Sequence, residues 1–458
     1  MNATGVAVTH EAAVRRDPGD GRQQAWPAGF AWGVSTSAYQ VEGAAREDGR
    51  GSGIWDLYVR LRDRIANGDT GDVACDHYHR YREDVALMRD LGVRAYRFSV
   101  AWPRVLPTGR GVVNAAGLDF YDRLLDELLA AGIDPWLCLY HWDLPQALQD
   151  RGGWLARDCA GWFADYAALI ARRFGDRVGH FATFNEPGVF TLFGFGLDWQ
   201  PPAVNDRASY LQALHHVNLA HGMAVDALRA LAPRAKVGAI HNLQPCLPLG
   251  AGDEAAAGML DACWNRAYPD AQLLAAYPPE LARDMEPFQQ AGDMARICRR
   301  LDWFGLNHYS PIYASADAGT PFGFRWRDAP ETAARTDFGW AIDPGAFRET
   351  ILRVHRRYGL PIYVTENGTA DNAGPGADGT VADGGRIAYL RSYVAAMREA
   401  MAAGADVRGY FVWSLLDNFE WGAGYGQRFG IVHVDFATQA RTPKASARWY
   451  ADLIRGET

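Results

Sequence analysis

Eight short and almost continuously apolar segments recur along the chain, and they constrain its fold more than any other feature. They do not alternate with polar residues, as strands with one solvated face would, so they are typical of parallel strands buried on both faces. The predicted strands are Ala31–Ser35, Ala95–Ser99, Pro135–Tyr140, His180–Phe184, Lys236–Ile240, Trp303–Leu306, Pro361–Thr365 and Arg408–Trp413.

Segments with helical periodicity lie between the apolar runs, and several of them end at a glycine, a common helix stop. They are Asp76–Leu91, Leu118–Ala131, Asp158–Phe174, Ala208–Leu231, Pro344–Tyr358 and Arg386–Ala403. Strands that alternate with helices predict an α/β fold, here a (β/α)₈ TIM barrel. We expect one catalytic domain over residues 25–458, with long βα loops forming the active-site rim, preceded by a disordered tail over residues 1–24.

Composition excludes several classes of partner. The net charge is −8 and no Lys/Arg run stands out, which argues against nucleic-acid binding. There is no apolar stretch of membrane-spanning length, and the N-terminal segment lacks the apolar core of a signal peptide. The six cysteines contain no C-x-x-C pair, so we expect reduced thiols and a cytoplasmic location. His77/His79 and His215/His216 do not share helix faces, so no metal is expected. The oligomeric state is not predicted.

Two glutamates follow predicted strands in similar contexts, T-F-N-E-P at Glu186 and V-T-E-N-G at Glu366. In a barrel, all strand carboxyl ends open onto one face, so residues distant in sequence meet there. Cleavage of an acetal needs one carboxyl group to protonate the departing oxygen and another to stabilise the anomeric carbon. Their separation, which decides between retention and inversion, cannot be read from sequence. The pair predicts a glycosidase.

Seven motifs in order resemble glycoside hydrolase family 1, the β-glucosidase family, over about residues 30–450. They are F-A-W-G-V-S-T-S-A-Y-Q-V-E-G-A, Y-R-F-S-V-A-W-P-R, Y-H-W-D-L-P, T-F-N-E-P, G-L-N-H-Y, V-T-E-N-G and W-S-L-L-D-N-F-E-W. The resemblance implies a retaining β-glycosidase that needs no cofactor. Glu186 would be the general acid/base, and Glu366 would be the nucleophile, contacted by Arg97 and Tyr309.

The same resemblance implies the substrate contacts. Asn185 would bind the sugar 2-hydroxyl, and Trp413 would stack beneath the sugar ring. Gln40, His141, Glu420 and Trp421 would bind its outer hydroxyls. The remaining substrate-binding positions are Trp142, Asn307, Tyr309, Trp340 and Phe429, and loop aromatics considered for the leaving-group side are Phe322, Phe324, Trp326 and Phe338.

Electrostatics agree with these roles. Arg97 and the Tyr309 hydroxyl would favour the ionised form of Glu366. Glu186 lacks such a cation, so its pKa should rise and keep it protonated near neutral pH. A bell-shaped pH profile is therefore expected.

The substrates expected are β-glycosides or short β-linked oligosaccharides, most simply β-glucosides. The Glu420 carboxylate would repel a phosphate group, which favours an unphosphorylated sugar. β-Galactosidase, β-fucosidase and transglycosylase activities remain open, because they use the same intermediate or differ at one hydroxyl. A noncatalytic sugar-binding barrel is a more distant alternative.

Overall fold

A computed structural model describes residues 26–457, and its centre is a closed barrel of eight parallel strands. Each strand pairs with its sequence neighbour in the barrel. The last strand pairs with the first and closes the barrel, with Ala31 opposite Gly409 at one end and Ser35 opposite Trp413 at the other. The strands are β1 (Ala31–Ser35), β2 (Ala95–Ser99), β3 (Asp134–Tyr140), β4 (His180–Asn185), β5 (Lys236–Asn242), β6 (Trp303–Asn307), β7 (Ile362–Asn367) and β8 (Val407–Trp413).

All eight predicted strands are confirmed, with ends that differ by at most two residues. The six predicted helices are also confirmed with small shifts at their ends. The long helices are His77–Asp90, Ala115–Ala130, Asp158–Phe174, Arg207–Leu231, Pro344–Tyr358, Gly384–Ala402 and Ala445–Arg455. The shorter ones are Ala38–Val41, Ile54–Tyr58, Trp102–Val105, Gln146–Gln149, Pro187–Thr191, Glu254–Asp261, Pro269–Leu274, Pro279–Met285 and Asp293–Ile297. Single turns of 3₁₀ or π helix lie at Ala66–Gly68, Gly153–Leu155, Leu192–Gly196, Ala262–Arg266, Glu286–Phe288 and Trp421–Ala423.

Large side chains fill the inside of the barrel, so it is a packed core and not a pore. Trp136 lies at its centre, with ring centroids 5.3 Å from Trp303, 4.7 Å from Tyr363 and 5.1 Å from Phe411. A small molecule can therefore enter only above this layer, at the carboxyl ends of the strands.

The loops contain more regular structure than the sequence predicted. Within the loops predicted at Asn242–Gly252 and Ser315–Gly339, Cys246–Pro248 and Phe324–Arg327 are strands. Both pair with Ile312–Ala316 in a small three-stranded sheet. A hairpin of Val432–Asp435 and Ala440–Pro443 follows β8. This regularity was missed because the strands are short and carry charged or proline residues, which weaken the apolar pattern.

Other predictions concern the ends and the cysteines. The predicted tail, residues 1–24, lies outside the described residues. All six cysteines are free, and four of them are buried. Over residues 26–457, each helix is too short or too polar to cross a bilayer.

Candidate active site

A cavity of about 650 Å³ opens at the carboxyl ends of the barrel strands. Ten of the predicted site residues lie on its wall: His141, Trp142, Glu186, Tyr309, Trp340, Glu366, Trp413, Glu420, Trp421 and Phe429. Arg97, Asn185 and Asn307 lie behind the wall and contact its polar groups. The strand ends thus bring together side chains that are separated by hundreds of positions in the sequence.

Register shifts direct both glutamates toward this cavity. The pairing of β4 with β5 shifts between Ala182 and Asn185, just before Glu186. The pairing of β7 with β6 shifts between Val364 and Glu366. An irregularity of this kind rotates the following side chains relative to the normal strand alternation. Glu186 also has a left-handed backbone, with φ 49°, a conformation that non-glycine residues adopt mainly at constrained positions.

Glu366 lies in a cationic, hydrogen-bonding environment. Arg97 Nη1 lies 2.5 Å from Glu366 Oε1, and the Tyr309 hydroxyl donates to Glu366 Oε2 at 2.6 Å. All three side chains are buried. Charge-assisted hydrogen bonds of this kind favour a carboxylate over a carboxylic acid. The expected contacts of Arg97 and Tyr309 with Glu366 are present.

Glu186 lies in a different environment. Its Oε1 accepts hydrogen bonds from two neutral amides, Asn307 Nδ2 at 2.7 Å and Asn242 Nδ2 at 3.0 Å. Burial, followed by the negative charge of Glu366, raises the pKa of Glu186 to about 8, against the smaller effects of the amides and Arg97. The expected rise in pKa is confirmed. At neutral pH the site holds one protonated glutamate near one that is paired with a cation.

Asn185 connects the surroundings of the two glutamates. Its Oδ1 accepts from Arg97 Nη2 at 2.6 Å and from Asn307 Nδ2 at 3.0 Å. Its Nδ2 lies 3.1 Å from His141 Nε2, and its main-chain oxygen accepts from the Trp142 indole at 3.0 Å. A continuous hydrogen-bonded network therefore fixes the positions of both carboxyl groups relative to each other.

Aromatic rings and one carboxyl group form the inner wall. His141 lies nearly parallel to both Trp413 and Trp421, with centroids 5.9 and 6.0 Å away. Glu420 is half-buried, but its Oε2 is shielded from solvent and has no hydrogen-bond partner among the described residues. Burial and then the charge of Glu366 raise the pKa of Glu420 to about 8, against a hydrogen bond from Trp413. This wall offers flat apolar faces beside a group that can exchange hydrogen bonds with hydroxyls.

Close packing of two loops is needed for this wall. A Cβ placed on Gly368, the last residue of V-T-E-N-G, would lie 1.9 Å from the main-chain oxygen of Trp413. Only glycine allows the segment after Glu366 to approach the end of β8 this closely.

Gln40 also lies off the cavity wall. Its Nε2 donates to Asn418 Oδ1 at 3.1 Å and to the main-chain oxygen of Phe419 at 3.0 Å, and its Oε1 accepts from Ser37 at 2.6 Å. It therefore supports the segment that leads into Glu420.

The loop aromatics divide into two groups. Trp326, Phe338 and Trp340 line the outer cavity. Phe322 and Phe324 do not line it; they are buried and stack on each other at 5.6 Å, so their expected place in the cavity is wrong. Alternation along a short strand puts Phe324 and Trp326 on the same face, so periodicity alone could not separate their roles.

Several residues on or near the cavity were not selected from the sequence. Asn242 follows the fifth predicted strand, Lys236–Ile240, and its position at a strand end indicated the pocket, although no role was assigned to it. The others lie in loops that carry no motif, and they are Phe193, Trp199, Gln200, Gln244, Trp264, Tyr313, Arg327, Asp328 and Arg335.

The paired histidines have structural partners. His215 lies 2.8 Å from both the Tyr277 hydroxyl and Asp293 Oδ2, and His216 Nδ1 lies 2.9 Å from the main-chain oxygen of Trp154. Within residues 26–457, no group of three or more His, Cys, Asp or Glu side chains is arranged to hold a metal ion.

A (β/α)₈ barrel whose open end holds two buried glutamates, one paired with arginine and one with a raised pKa, has the arrangement of a glycoside hydrolase. Comparison with known proteins agrees. The model of "Glycosyl hydrolase family 1" matches residues 22–458, and the chain belongs to this family.

Characterised relatives match over almost their whole length. The chain is 40% identical to β-glucosidase A of Thermotoga maritima over 445 residues, covering 94% of this chain and 98% of the relative. It is 45% identical to thermostable β-glucosidase B of Thermobispora bispora over 444 residues, covering 94% and 90%. The solved family 1 β-glucosidase from Thermotoga maritima superposes with a TM-score of 0.89 at 39% identity, covering 94% of this chain and 99% of that one.

Proposed function

We propose that this glycoside hydrolase removes terminal nonreducing β-D-glucosyl residues with retention of configuration, using Glu366 as nucleophile and Glu186 as acid/base. The observation that carries the proposal is the opposite environment of the two glutamates: Arg97 and Tyr309 contact Glu366, whereas burial raises the pKa of Glu186 to about 8. Two carboxyl groups in such different environments can take different roles, one as the acid and the other as the nucleophile.

In the first step, the Glu366 carboxylate attacks the anomeric carbon while the bond from that carbon to the leaving oxygen breaks. The proton of Glu186 moves to the departing oxygen, which leaves as an alcohol or phenol. The product is a glycosyl ester on Glu366. Our proposal includes a hydrogen bond from the sugar 2-hydroxyl to Asn185, a contact that strengthens as positive charge develops on the ring.

In the second step, the charge of Glu366 has been consumed in the ester, so one cause of the raised Glu186 pKa is removed. Glu186, now a carboxylate, accepts a proton from water as the water oxygen attacks the anomeric carbon. The ester bond breaks, Glu366 is released as carboxylate and Glu186 is protonated again.

The inner wall supports an unphosphorylated sugar. This end of the cavity is surrounded by Glu420, Trp413, Trp421 and His141. Among the described residues, the arginines on the cavity wall are Arg327 and Arg335, which belong to its outer part. Structures of the Thermotoga maritima β-glucosidase hold sugar-like compounds such as glucoimidazole and deoxynojirimycin. A cytoplasmic location remains our prediction and is consistent with six free cysteines.

The test is hydrolysis of 4-nitrophenyl β-D-glucoside compared with the galactoside and fucoside, with the first product observed by NMR. We expect the β-glucoside to have the highest kcat/KM and the first sugar released to be the β-anomer. Release of the α-anomer would contradict retention, and binding without turnover of any glycoside would favour a noncatalytic barrel.

Two variants distinguish the roles of the glutamates. Glu366→Gly should lose turnover by several orders of magnitude, and added azide should then give the α-glucosyl azide by attack from the vacated side. Glu186→Gly with azide should give the β-glucosyl azide through the covalent intermediate. Glu331→Gly, an exposed loop position, is the control. Exchanged azide products would reverse the assignment.

A further inference from the structure

The outer half of the cavity combines an aromatic wall with two arginines. Phe193, Trp199, Trp264 and Trp326 contact one another with centroid distances of 5.0–6.0 Å. Trp199 is 50% exposed, unusually open for so large an apolar side chain. Arg327, Asp328 and Arg335 line the same cavity, and Arg327 is also within electrostatic range of the Asp317 carboxylate.

The two arginines differ from most arginines of this chain. Among the described residues, neither forms an ion pair, whereas Arg325, two positions before Arg327, pairs with Asp317 at 2.6 Å. The Arg327 Nε donates to Ser315 Oγ at 2.7 Å, and Arg335 Nη2 donates to the main-chain oxygen of Ala329. Each guanidinium group is therefore held by one edge and keeps further N–H donors for a ligand.

We propose that the outer cavity is a subsite for an aromatic leaving group that carries a carboxylate, recognised by Arg327 and Arg335. This inference rests on the proposed function, because it assigns the leaving group of the same reaction.

The distribution of charge places the ligand's carboxylate at the outer end. Glu186, Glu366 and Glu420 line the inner cavity, so an anionic group on the sugar would face the carboxylate of Glu366. Arg327 and Arg335 come instead from the long loop segment that follows β6, not from a barrel strand end. A cavity of about 650 Å³ is in the range that accommodates a drug-sized ligand, so it has room for a ring beyond the sugar.

The chemistry of the wall favours an aryl acid over a second neutral sugar. Aromatic rings that contact one another edge to face can make the same kind of contact with an aromatic ligand. Guanidinium groups fit planar carboxylates with two parallel hydrogen bonds, and this geometry gives selectivity that a neutral hydroxyl group does not exploit. The chain as a whole has a net charge of −8, which disfavours anionic ligands. At the cavity, Arg327 and Arg335, which form no ion pair among the described residues, attract an anionic ligand despite this overall charge.

The experiment compares 4-carboxyphenyl β-D-glucoside with its methyl ester. The measured quantity is the ratio of kcat/KM for the acid to kcat/KM for the ester, at pH 7. The two substrates differ in the reactivity of their leaving groups, but this difference is the same for wild type and variant. A general loss of activity in a variant lowers kcat/KM for both substrates. Both effects therefore cancel when the acid-to-ester ratio of a variant is compared with that of the wild type. Turnover of the ester by the wild type tests the proposed function separately from this inference.

We expect Arg327→Gln and Arg335→Gln each to lower the ratio by roughly two- to fivefold, the range for exposed ion pairs. Asp328→Asn should raise it, and Arg325→Gln, which changes an exposed arginine outside the cavity, should leave it unchanged. High salt should lower the wild-type ratio toward that of the double variant Arg327→Gln/Arg335→Gln. An unchanged ratio in the double variant, or an equal fall in Arg325→Gln, would overturn the proposal.

Discussion

Arg97 and Glu366 form a buried ion pair at 2.5 Å although they are 269 positions apart in the sequence. Arg97 comes from β2, and Glu366 comes from β7 on the other side of the barrel. Arg97 Nη2 also donates to Asn185 Oδ1 on β4. One side chain therefore joins three strands, and the integrity of the barrel and the position of the nucleophile depend on the same contact.

Replacement of Arg97 by Gln should reduce both stability and activity. The variant leaves the Glu366 carboxylate buried without its cation, which costs about 3–5 kcal/mol when one member of a buried pair is removed. Urea unfolding should report that loss, and kcat/KM of the remaining folded enzyme should fall by about 100-fold, because the Glu366 carboxylate loses the guanidinium group that positions it.

Arg104→Gln is the matched control. Arg104 forms a buried pair with Glu42 at 2.8 Å that does not contact the cavity. We expect a similar loss of unfolding free energy with nearly normal kcat/KM per folded molecule. Equal loss of activity in both variants would mean that Arg97 acts only through stability.

The sequence predicted the barrel well because its strands are buried on both faces and so have continuous apolar patterns. β1 and β2 were predicted to the residue, and β3 begins one residue before the predicted Pro135. The catalytic glutamates could also be predicted, since strand carboxyl ends must meet at one face of a barrel.

Contacts that depend on irregular backbone could not be predicted. Asn242 contacts Glu186 because β4 and β5 are paired in a particular shifted register, which no sequence period encodes. Phe322 and Trp326 are both large aromatic residues, only four positions apart. Phe322 is nevertheless buried in the loop, whereas Trp326 lines the cavity. Their separation depends on how the three-stranded sheet packs against the barrel.

The alkaline limb of the pH profile should lie near pH 8. Glu186 must be protonated to act as acid, and its pKa is raised by burial and by the charge of Glu366 to about 8. Activity measured as kcat/KM should therefore fall as pH rises through that region. Because the two glutamates interact, the observed midpoint belongs to the pair.

Glu420 has a similarly raised pKa, so a second variant is needed to assign this limb. In Glu420→Gln, the alkaline limb should persist with weaker substrate binding. In Glu186→Gln, assayed with an activated aryl glucoside that needs no protonation, the limb should disappear. Loss of the limb in Glu420→Gln alone would assign it to sugar binding.

Asn242→Ala should shift the alkaline limb further upward. The amide of Asn242 donates to Glu186 Oε1 at 3.0 Å and lowers the pKa of Glu186, so its removal favours the protonated form. The pH dependence of kcat/KM measures the change in midpoint, and we expect an upward movement large enough to resolve. Asn218→Ala, which changes a buried amide that contacts Ala267 and Gln272, should leave the midpoint in place. A downward movement in Asn242→Ala would contradict the hydrogen bond.

Glu420→Gln should make the fold less sensitive to alkali. The folded pKa of Glu420 is raised from 4.5 to about 8, so its contribution to stability is present below pH 4.5 and is lost as pH rises toward 8. A tenfold change in an acid dissociation constant corresponds to about 1.4 kcal/mol, so the decline in unfolding free energy from pH 5 to 8 should be smaller in the variant by at least that amount. Thermal or urea unfolding at both pH values measures this, with exposed Glu331→Gln as control. Parallel declines in wild type and Glu420→Gln would show that this carboxyl group is solvated.

Arg386 should prove essential for the position of Phe429 on the cavity wall. Its buried guanidinium donates to the main-chain oxygens of Thr369, Phe429, Asp371 and Arg428 and to the Asp383 carboxylate. It thereby ties the segment after Glu366 to the segment that carries Phe429.

Lysine keeps the charge of Arg386 but has three donors on one nitrogen, so it cannot reach all five acceptors. Arg386→Lys should lower the unfolding free energy by about 2–4 kcal/mol, since buried carbonyl oxygens lose their donors. The folded variant should also show a higher KM for aryl glucosides. Arg353→Lys, which changes a bidentate but partly exposed pair with Asp261, should cost less than about 1 kcal/mol and leave KM unchanged. An Arg386→Lys enzyme with normal KM would mean that aromatic packing against Tyr309, Phe338 and Trp340 is enough to hold Phe429 in place.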